Sequence, residues 1–177
     1  QKNKAEDITR VLYPNDSTWE GKRLRIKQQY VLSSASLQDM LRTYKAAHGQ
    51  DLTHFADYYA VQLNDTHPAM SIPELIRLLQ LEGMSFDEAF KIAQKTFSYT
   101  NHTVLGEALE KWPLNLMRST VPQIADIICK IDHKMRTEIP MDFQERRNKK
   151  LFIVDEDIVH MANLSIYVGS YVNGVAE

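Results

Sequence analysis

Tyr-Tyr-Ala-Val-Gln-Leu-Asn-Asp-Thr-His-Pro, residues 58–68, holds the clearest strand signal in the chain. The run Tyr58–Leu63 is short, apolar and rich in strand-forming residues, and Asn64 and Asp65 follow it as turn formers. The pattern predicts a buried strand. Because ligands of α/β proteins bind at the ends of strands, Asp65 and His67 are candidate site residues.

Helix signals surround this strand on both sides. Apolar residues at three- and four-residue spacing, followed by Gly49, predict a long helix from about Lys22 to His48. Ser71-Ile-Pro-Glu74 and Ser85-Phe-Asp-Glu88 each have the form of a capping box, which opens a helix. The predicted helices are residues 1–10, 22–48, 71–81, 85–97, 105–111 and 123–138.

The remaining segments are predicted to contain one further strand, a turn and a loop. A second strand is predicted at Leu164–Val168, whereas Tyr99–Thr103 is polar and is interpreted as a turn. Residues 140–151 are charged and irregular and are predicted to form an exposed loop. Two strands make a poor sheet by themselves, so the predicted fold class is α/β, as a mostly helical piece of a larger protein. An uncapped helix at the start and a strand-like run at the end also favour a fragment.

Composition and charge narrow the class of protein. The 177 residues are 44% hydrophobic, which excludes a disordered or low-complexity chain. The formal charge of −2 gives no general attraction to nucleic acid or to an anionic membrane. No apolar run reaches the ~18 residues of a membrane span. The single cysteine, Cys129, excludes an internal disulfide and is typical of a reducing compartment, so a cytoplasmic location is expected.

Three polar clusters allow competing interpretations. Asp65 and His67 have the spacing of a metal-binding pair, but no HExxH-like spacing accompanies them, so turn capping is favoured and no metal is predicted. Asn101-His102-Thr103 by itself indicates turn chemistry. The basic run Glu145–Lys150 is interpreted as a solvated surface rather than a phosphate site. These patterns alone indicate a soluble, mainly helical protein, and they do not identify its function.

A set of short motifs in a fixed order goes further. The motifs are Ile8–Asp16, Glu20–Lys22, Leu24–Arg25, Lys27–Gln28, Ser36–Asp39, Gln62–Pro68, Ile72–Leu75, Tyr99–Leu105, Glu107–Glu110, Lys111–Pro113 and Val172–Ala176. Together they resemble the glycogen and starch (α-glucan) phosphorylases over nearly the whole chain. Each motif is short, but so many in the same order are specific to that family.

The resemblance implies a fold, a reaction and a cofactor. It implies a pyridoxal-phosphate enzyme with two Rossmann-like lobes, the glycosyltransferase-type GT-B fold, of which residues 1–177 would be a fragment of the N-terminal lobe. Such an enzyme transfers the non-reducing-end glucose of an α-1,4-glucan (glycogen, starch or maltodextrin) to inorganic phosphate, giving glucose 1-phosphate. The cofactor's lysine would lie outside this chain, so the fragment alone is expected to be inactive. A homodimer is also implied, with Lys4–Leu12 ending a helix that packs against the partner subunit.

The resemblance also implies roles for individual residues. His102 is the expected catalytic residue, whose ring would hydrogen-bond the 6-hydroxyl of the sugar while its backbone carbonyl lies near the anomeric carbon. Asp16 and Ser17 would belong to a loop that gates the substrate channel. Asp65 and His67 would line a pocket beside the anomeric carbon. The expected apolar walls of the glucose site are Ala108 and Val175.

Some residues depart from the family pattern. Ser17 stands where many members carry an asparagine that bonds the sugar's 2-hydroxyl. Thr43 follows Arg42 where regulated animal members carry two adjacent arginines for AMP, and Gly106 stands where proline is usual. These departures fit an unregulated, bacterial-type maltodextrin phosphorylase.

Two other functions stay open at the level of sequence. The chain could be a stand-alone glucan-binding module that performs no catalysis. It could also be a helical interaction domain in which the motif residues are retained only because they pack in the hydrophobic core. A reading frame that continues into a cofactor-binding lobe would favour the enzyme over both.

Overall fold

The computed structural model describes residue 6 and residues 8–11, 14–106, 109–139 and 151–175. Within these ranges the chain is a mixed α/β structure in which helices dominate and six short strands form two sheets. The helices are α1 (Trp19–His48), α2 (Phe55–Tyr58), α3 (Ser71–Leu81), α4 (Phe86–Thr96), α5 (Leu114–Thr120), α6 (Pro122–Glu138) and α7 (Met161–Val168). The strands are β1 (Val61–Asn64), β2 (Phe97–Asn101), β3 (Lys111–Pro113), β4 (Val154–Asp155), β5 (Ile158–His160) and β6 (Val172–Gly174).

The first sheet is parallel and has the strand order β1-β2-β6. In its register Leu63 lies beside Tyr99, and Tyr99 lies beside Val172. Helices α3 and α4 connect β1 to β2, which is the long crossover that parallel strands require. All three strands therefore end at the same edge of the sheet.

The second sheet is antiparallel, with the order β3-β5-β4, and α6 holds one side of it. The carboxylate of Asp132 on α6 accepts hydrogen bonds from the backbone N–H groups of Ile153 and Val154, both at 3.0 Å. Arg136, one turn later, donates to the same carboxylate at 2.7 Å and lies 3.6 Å from the ring centroid of Phe152. This polar clamp fixes the chain where it enters β4.

The long helix α1 confirms the prediction for residues 22–48 and begins three residues earlier, at Trp19. Thr18 caps its first turn by accepting a hydrogen bond from the Gly21 N–H at 3.1 Å, and Gly49 ends it with a φ of 88°. Leu37, Leu41 and Tyr44 are buried at the spacing of one helix face.

Of the two predicted capping boxes, one is confirmed and one is wrong. Ser85 and Glu88 form both reciprocal hydrogen bonds at the start of α4. Ser71, in contrast, is the first residue of α3, and Met70 takes the capping position without a side-chain bond. The Glu74 side chain is fully buried. It instead accepts a hydrogen bond from Ser34 of α1 at 2.6 Å and pairs with Arg77 of its own helix.

The strand predicted at Leu164–Val168 is wrong, because this run is the second half of helix α7. The Ser165 hydroxyl donates to the carbonyl of Met161, four residues earlier, at 3.0 Å. A short, continuous apolar run fits a buried helix as well as a buried strand, so periodicity alone does not separate them.

The turn predicted at Tyr99–Thr103 is also wrong, because Phe97–Asn101 is the middle strand of the parallel sheet. Phe97 and Tyr99 are buried and alternate with the partly exposed Ser98. Ser98 and Thr100 lie on the exposed side of the strand, and with Asn101 they give the segment the polar composition of a turn.

The remaining differences are local. Tyr58, predicted to begin a strand, ends the short helix α2, and β1 begins at Val61. The helix predicted at 105–111 is wrong, since Leu109 and Glu110 are not helical and Lys111 begins β3. Of the predicted helix 1–10, residues 6 and 8–10 are described and are helical, and the rest lies outside the described residues. The predicted loop 140–151 also lies outside them, apart from the exposed Leu151.

Candidate functional site

The carboxyl ends of the three parallel strands bring together residues that are far apart in sequence. β1 runs into Asp65, β2 runs into His102, and β6 runs into Val175. The Val175 N–H donates to the carbonyl of Asn101 at 3.2 Å, and the Asp65 N–H donates to the carbonyl of Thr100 at 2.8 Å. These bonds continue the sheet past its strands and fix the position of each residue at the edge.

Asp65 turns the chain sharply at the end of β1. Its φ is 67°, a left-handed conformation in which aspartate is tolerated better than most residues. Its carboxylate accepts one hydrogen bond from the Thr66 N–H at 2.7 Å and one from the Thr103 hydroxyl at 3.2 Å. The second bond ties the end of β1 to the segment that follows β2.

The backbone position of His102 is fixed by hydrogen bonds between the residues on either side of it. Asn101 donates to the Thr103 carbonyl at 3.0 Å and accepts from the Thr103 N–H at 3.2 Å, which shapes the backbone around His102. The imidazole is exposed, so it is available to a ligand at this edge. The turn chemistry expected of this cluster is therefore present, immediately after the strand.

A row of polar side chains crosses the sheet close to this edge. Gln62 donates to the Thr100 hydroxyl at 2.7 Å, and that hydroxyl donates to Asn173 at 2.8 Å. On the opposite side of β2, burial together with the nearby Asp65 carboxylate raises the pKa of Tyr99 to about 12. Tyr99 therefore stays neutral and donates a hydrogen bond to Asn101 at 3.2 Å.

The loop of residues 14–18, which contains Asp16 and Ser17, folds back over the start of α1. The Ser17 N–H donates to the Asn15 side chain at 2.9 Å, an Asx turn. A Cβ atom added at Gly21 would lie 1.8 Å from the carbonyl oxygen of Asn15, so only glycine allows this close approach. The Asp16 carboxylate pairs with Arg25 of α1 at 3.2 Å.

His67, two residues after Asp65, lies in the wall of a cavity of about 340 Å³. Arg25 and Gln29 of α1 and Pro68 share this wall, together with the apolar Leu32 and Val61. Arg25 therefore faces both the loop of Asp16 and the cavity of His67.

The predicted site residues thus fall into separate positions. The parallel sheet brings Asp65, His102 and Val175 to one edge. Arg25 connects the loop that carries Asp16 and Ser17 to the wall that carries His67. Ala108 lies outside the described residues.

The polar groups at the strand ends suit the hydroxyl groups of a neutral ligand. Residues 62–66, 99–104 and 172–175 supply a carboxylate, amides, hydroxyls and an imidazole, and they include no lysine or arginine. Pyridoxal phosphate needs a lysine for its aldehyde and cations for its phosphate, so these strand ends do not fit that cofactor. No group of three or more metal-ligating side chains occurs among the described residues. In the same ranges, no helix is both long and apolar enough to cross a membrane.

Sequence reasoning assigned no role to Arg25 or Glu110, or to the polar row across the sheet. Ser98 and Thr100 alternate with the buried Phe97 and Tyr99, and that period of two was a signal that could have identified β2 as a strand. Arg25 and Glu110 are 85 residues apart, and no local pattern relates them.

Comparison with known proteins identifies the family. A family model described as carbohydrate phosphorylase matches residues 1–177. The chain is 46% identical over 184 residues to glycogen phosphorylase 2 of Dictyostelium discoideum, which covers 99% of this chain and 18% of that protein. It is 44% identical over 186 residues to the H isozyme of wheat (Triticum aestivum) alpha-glucan phosphorylase. It is 43% identical over 189 residues to the liver form of human (Homo sapiens) glycogen phosphorylase. Each of these alignments covers 99% of this chain and 22% of the relative. The chain therefore spans about a fifth of the length of these relatives. With a family match over all of its residues, this chain belongs to the carbohydrate phosphorylase family.

Proposed function

We propose that the full-length protein containing this chain is an α-glucan phosphorylase, and that this chain is part of the N-terminal lobe of a GT-B fold. The observation that carries the proposal is the meeting of Asp65, His102 and Val175 at the carboxyl edge of the parallel sheet, in a chain of this family. In open parallel sheets this edge is where ligands bind. The names of the relatives add that related proteins act as glycogen or α-glucan phosphorylases.

The proposed reaction transfers glucose to inorganic phosphate. The bond between the anomeric carbon and the leaving glucan oxygen breaks, inorganic phosphate protonates that oxygen, and a phosphate oxygen then bonds the anomeric carbon to give glucose 1-phosphate. When bound by the rest of the protein, pyridoxal phosphate would supply a phosphate group to this reaction. The residues of this chain bind and orient the sugar, because the strand ends carry groups suited to hydroxyls rather than to phosphate.

Individual residues have distinct tasks in this proposal. The exposed His102 ring bonds the sugar's 6-hydroxyl, and its backbone carbonyl faces the developing positive charge at the anomeric carbon. Asp65 keeps this segment in place through the Thr103 hydroxyl. Val175 and Ala108 form apolar walls, His67 lines a pocket beside the site, and Asp16 and Ser17 belong to the gate loop.

The partners and the location follow from the same assignment. We propose that the full-length protein is a cytoplasmic homodimer that binds an α-1,4-glucan (glycogen, starch or maltodextrin) and inorganic phosphate. Nucleic acid and membranes are not among its proposed partners. The chain would be inactive alone, because the proposed cofactor lysine is supplied by another part of the protein.

A phosphorolysis assay tests the proposal. The full-length protein, supplied with pyridoxal phosphate, maltoheptaose and inorganic phosphate, should release glucose 1-phosphate, whereas residues 1–177 alone should release none. Glucan binding by the full-length protein without any glucose 1-phosphate would favour a binding module instead. Turnover by residues 1–177 alone would contradict the assignment of the cofactor to the rest of the protein.

A further inference from the structure

Arg25 joins two segments that lie far apart in sequence. One terminal nitrogen of its guanidinium lies 3.2 Å from the Asp16 carboxylate, and the other lies 3.3 Å from the Glu110 carboxylate. The side chains of Arg25 and Glu110 are 17% and 11% exposed, whereas that of Asp16 is 49% exposed. A single guanidinium therefore bridges a largely buried carboxylate and a carboxylate on an exposed loop.

Glu110 is the anchored end of this bridge. Gln29, one turn after Arg25 on α1, donates to the same Glu110 oxygen at 2.9 Å. The backbone carbonyl of Glu110 accepts from the Met161 N–H at 3.2 Å, and β3 begins at the next residue. Any change in the pairing of Arg25 is therefore expected to move the loop rather than Glu110.

The bridge leaves hydrogen-bonding capacity unused. Among the described residues, the second oxygen of Glu110, the Gln29 side-chain oxygen and the Trp112 indole N–H are buried without a hydrogen-bond partner. A buried carboxylate oxygen without a donor is costly. The bonds from Arg25 to Asp16 and to Glu110 are also longer than the ~2.7–2.9 Å typical of charge-assisted pairs. In the bridging arrangement the Glu110 carboxylate is therefore not fully satisfied.

A second arrangement satisfies Glu110 better. A guanidinium can bond both oxygens of one carboxylate, and such a pair is stronger than a single bond. Arg25 would gain the unpartnered oxygen of Glu110 if it released Asp16. The exposed Asp16 would then be solvated by water, at little cost.

We propose that Arg25 is a positioning residue that holds or releases the loop of residues 14–18 by exchanging Asp16 for the second oxygen of Glu110. This inference rests on the phosphorylase function proposed above, in which the loop gates the substrate. In the held arrangement the guanidinium bridges both carboxylates. In the released arrangement it bonds both oxygens of Glu110 and no longer holds Asp16, so the loop moves freely.

The exchange predicts opposite effects for two substitutions at the same bridge. Arg25→Met removes the bond to Asp16 and releases the loop. Glu110→Gln weakens the competitor for the guanidinium, so Arg25 pairs more with Asp16 and the loop is held more. If the cluster were only structural, both substitutions would loosen the loop.

Cleavage of the full-length protein by a protease that cuts before aspartate measures how often the loop opens at the Asn15–Asp16 bond. We expect Arg25→Met to accelerate this cleavage about three- to tenfold, as loss of a partly exposed ion pair allows, and Glu110→Gln to slow it. The double variant should cleave like Arg25→Met, because Glu110 acts on the loop through Arg25. Arg25→Lys should fall between Arg25→Met and the unaltered protein, since an ammonium cannot bridge both carboxylates in the same way.

Lys45→Met is the matched control, because Lys45 lies on the same helix and pairs with Glu82 outside the loop. It should leave the cleavage rate at Asn15–Asp16 unchanged. Accelerated cleavage in Glu110→Gln, or an unchanged rate in Arg25→Met, would overturn the proposal. A thermal midpoint measured for each variant identifies any that has lost its fold, and Arg25→Lys then carries the test.

The kinetics separate this inference from the proposed function. With maltoheptaose, Arg25→Met should lower kcat with little change in KM, because remote glucan contacts remain. If the unaltered full-length protein produces no glucose 1-phosphate, the proposed function fails, while the cleavage rates still decide the role of Arg25. An active protein in which Arg25→Met raises KM alone would contradict a role in positioning the loop.

Discussion

His102 is the residue on which the proposed chemistry most depends. In the full-length enzyme, His102→Ala should lower kcat by about 10²–10³-fold, or ~2.7–4 kcal/mol, the scale of a lost transition-state donor. Glucan binding should change little, because a long glucan makes many contacts and only the reacting ring changes shape. Measurements of kcat and of the thermal midpoint on the same variant check this. His54→Ala is the control, since His54 is an exposed histidine paired locally with Asp57.

A well-folded His102→Ala enzyme with a normal kcat would remove His102 from the site. A turn residue without a catalytic role would instead lower the thermal midpoint and leave the activity of each folded molecule intact.

Gly21 is the second residue with a specific consequence. Gly21→Ala places a methyl group 1.8 Å from the Asn15 carbonyl oxygen, so the loop of residues 14–18 must move. A displacement of about 1 Å at a positioned group can cost up to ~10²-fold in rate, so kcat/KM for maltoheptaose should fall by at least about tenfold. The helix itself should tolerate the change, because alanine is favoured over glycine inside a helix.

Gly106→Ala is the matched control for Gly21→Ala, since a Cβ at Gly106 meets no atom of the described residues within 4 Å. Equal kinetics for Gly21→Ala and the unaltered enzyme would show that the loop tolerates displacement.

Among the elements, the clamp between α6 and β4 depends on one carboxylate. Asp132→Ala leaves the N–H groups of Ile153 and Val154 without their acceptor and removes the carboxylate that pairs with Arg136. Loss of hydrogen bonds to a charged, buried group costs about 2–4 kcal/mol locally, so hydrogen exchange over residues 151–160 should accelerate by at least ~30-fold. Asp132→Asn keeps one acceptor oxygen and should show a smaller change. Exchange that is unchanged in Asp132→Ala would show that β4 is held by packing alone.

For the whole molecule, activation by AMP is expected to be absent. Arg42 donates two hydrogen bonds to Asp39, at 3.1 and 2.6 Å. The resemblance to the regulated animal phosphorylases implies that Thr43 takes the place of a second arginine for AMP. Loss of one charge-assisted contact costs roughly 1.5–3 kcal/mol, or one to two decades in affinity. The full-length enzyme should therefore show no activation by millimolar AMP. Thr43→Arg should strengthen AMP binding, and several-fold activation of the unaltered enzyme would contradict the prediction.

The sequence alone predicted the helices that begin and end at signals in neighbouring residues. Thr18 was missed as the cap of α1, but the apolar spacing of Leu37, Leu41 and Tyr44 and the stop at Gly49 placed that helix correctly. The capping box of Ser85 and Glu88 was also sufficient for α4. These signals act within a few residues, so they need no knowledge of the rest of the chain. The ordered motifs determined the family in the same way, because residue identity alone carries them.

Only the tertiary structure decided the sheets and what meets at their edges. β2 is polar enough to resemble a turn, and it is a strand because β1 and β6 on either side satisfy its backbone groups. Glu74 forms no capping box, because its buried carboxylate instead accepts a hydrogen bond from Ser34 of α1. Arg25 and Glu110 became a pair only when the chain had folded. In each case the deciding partner lies outside the local segment, and strand pairing and buried ion pairs depend on such partners rather than on local propensity.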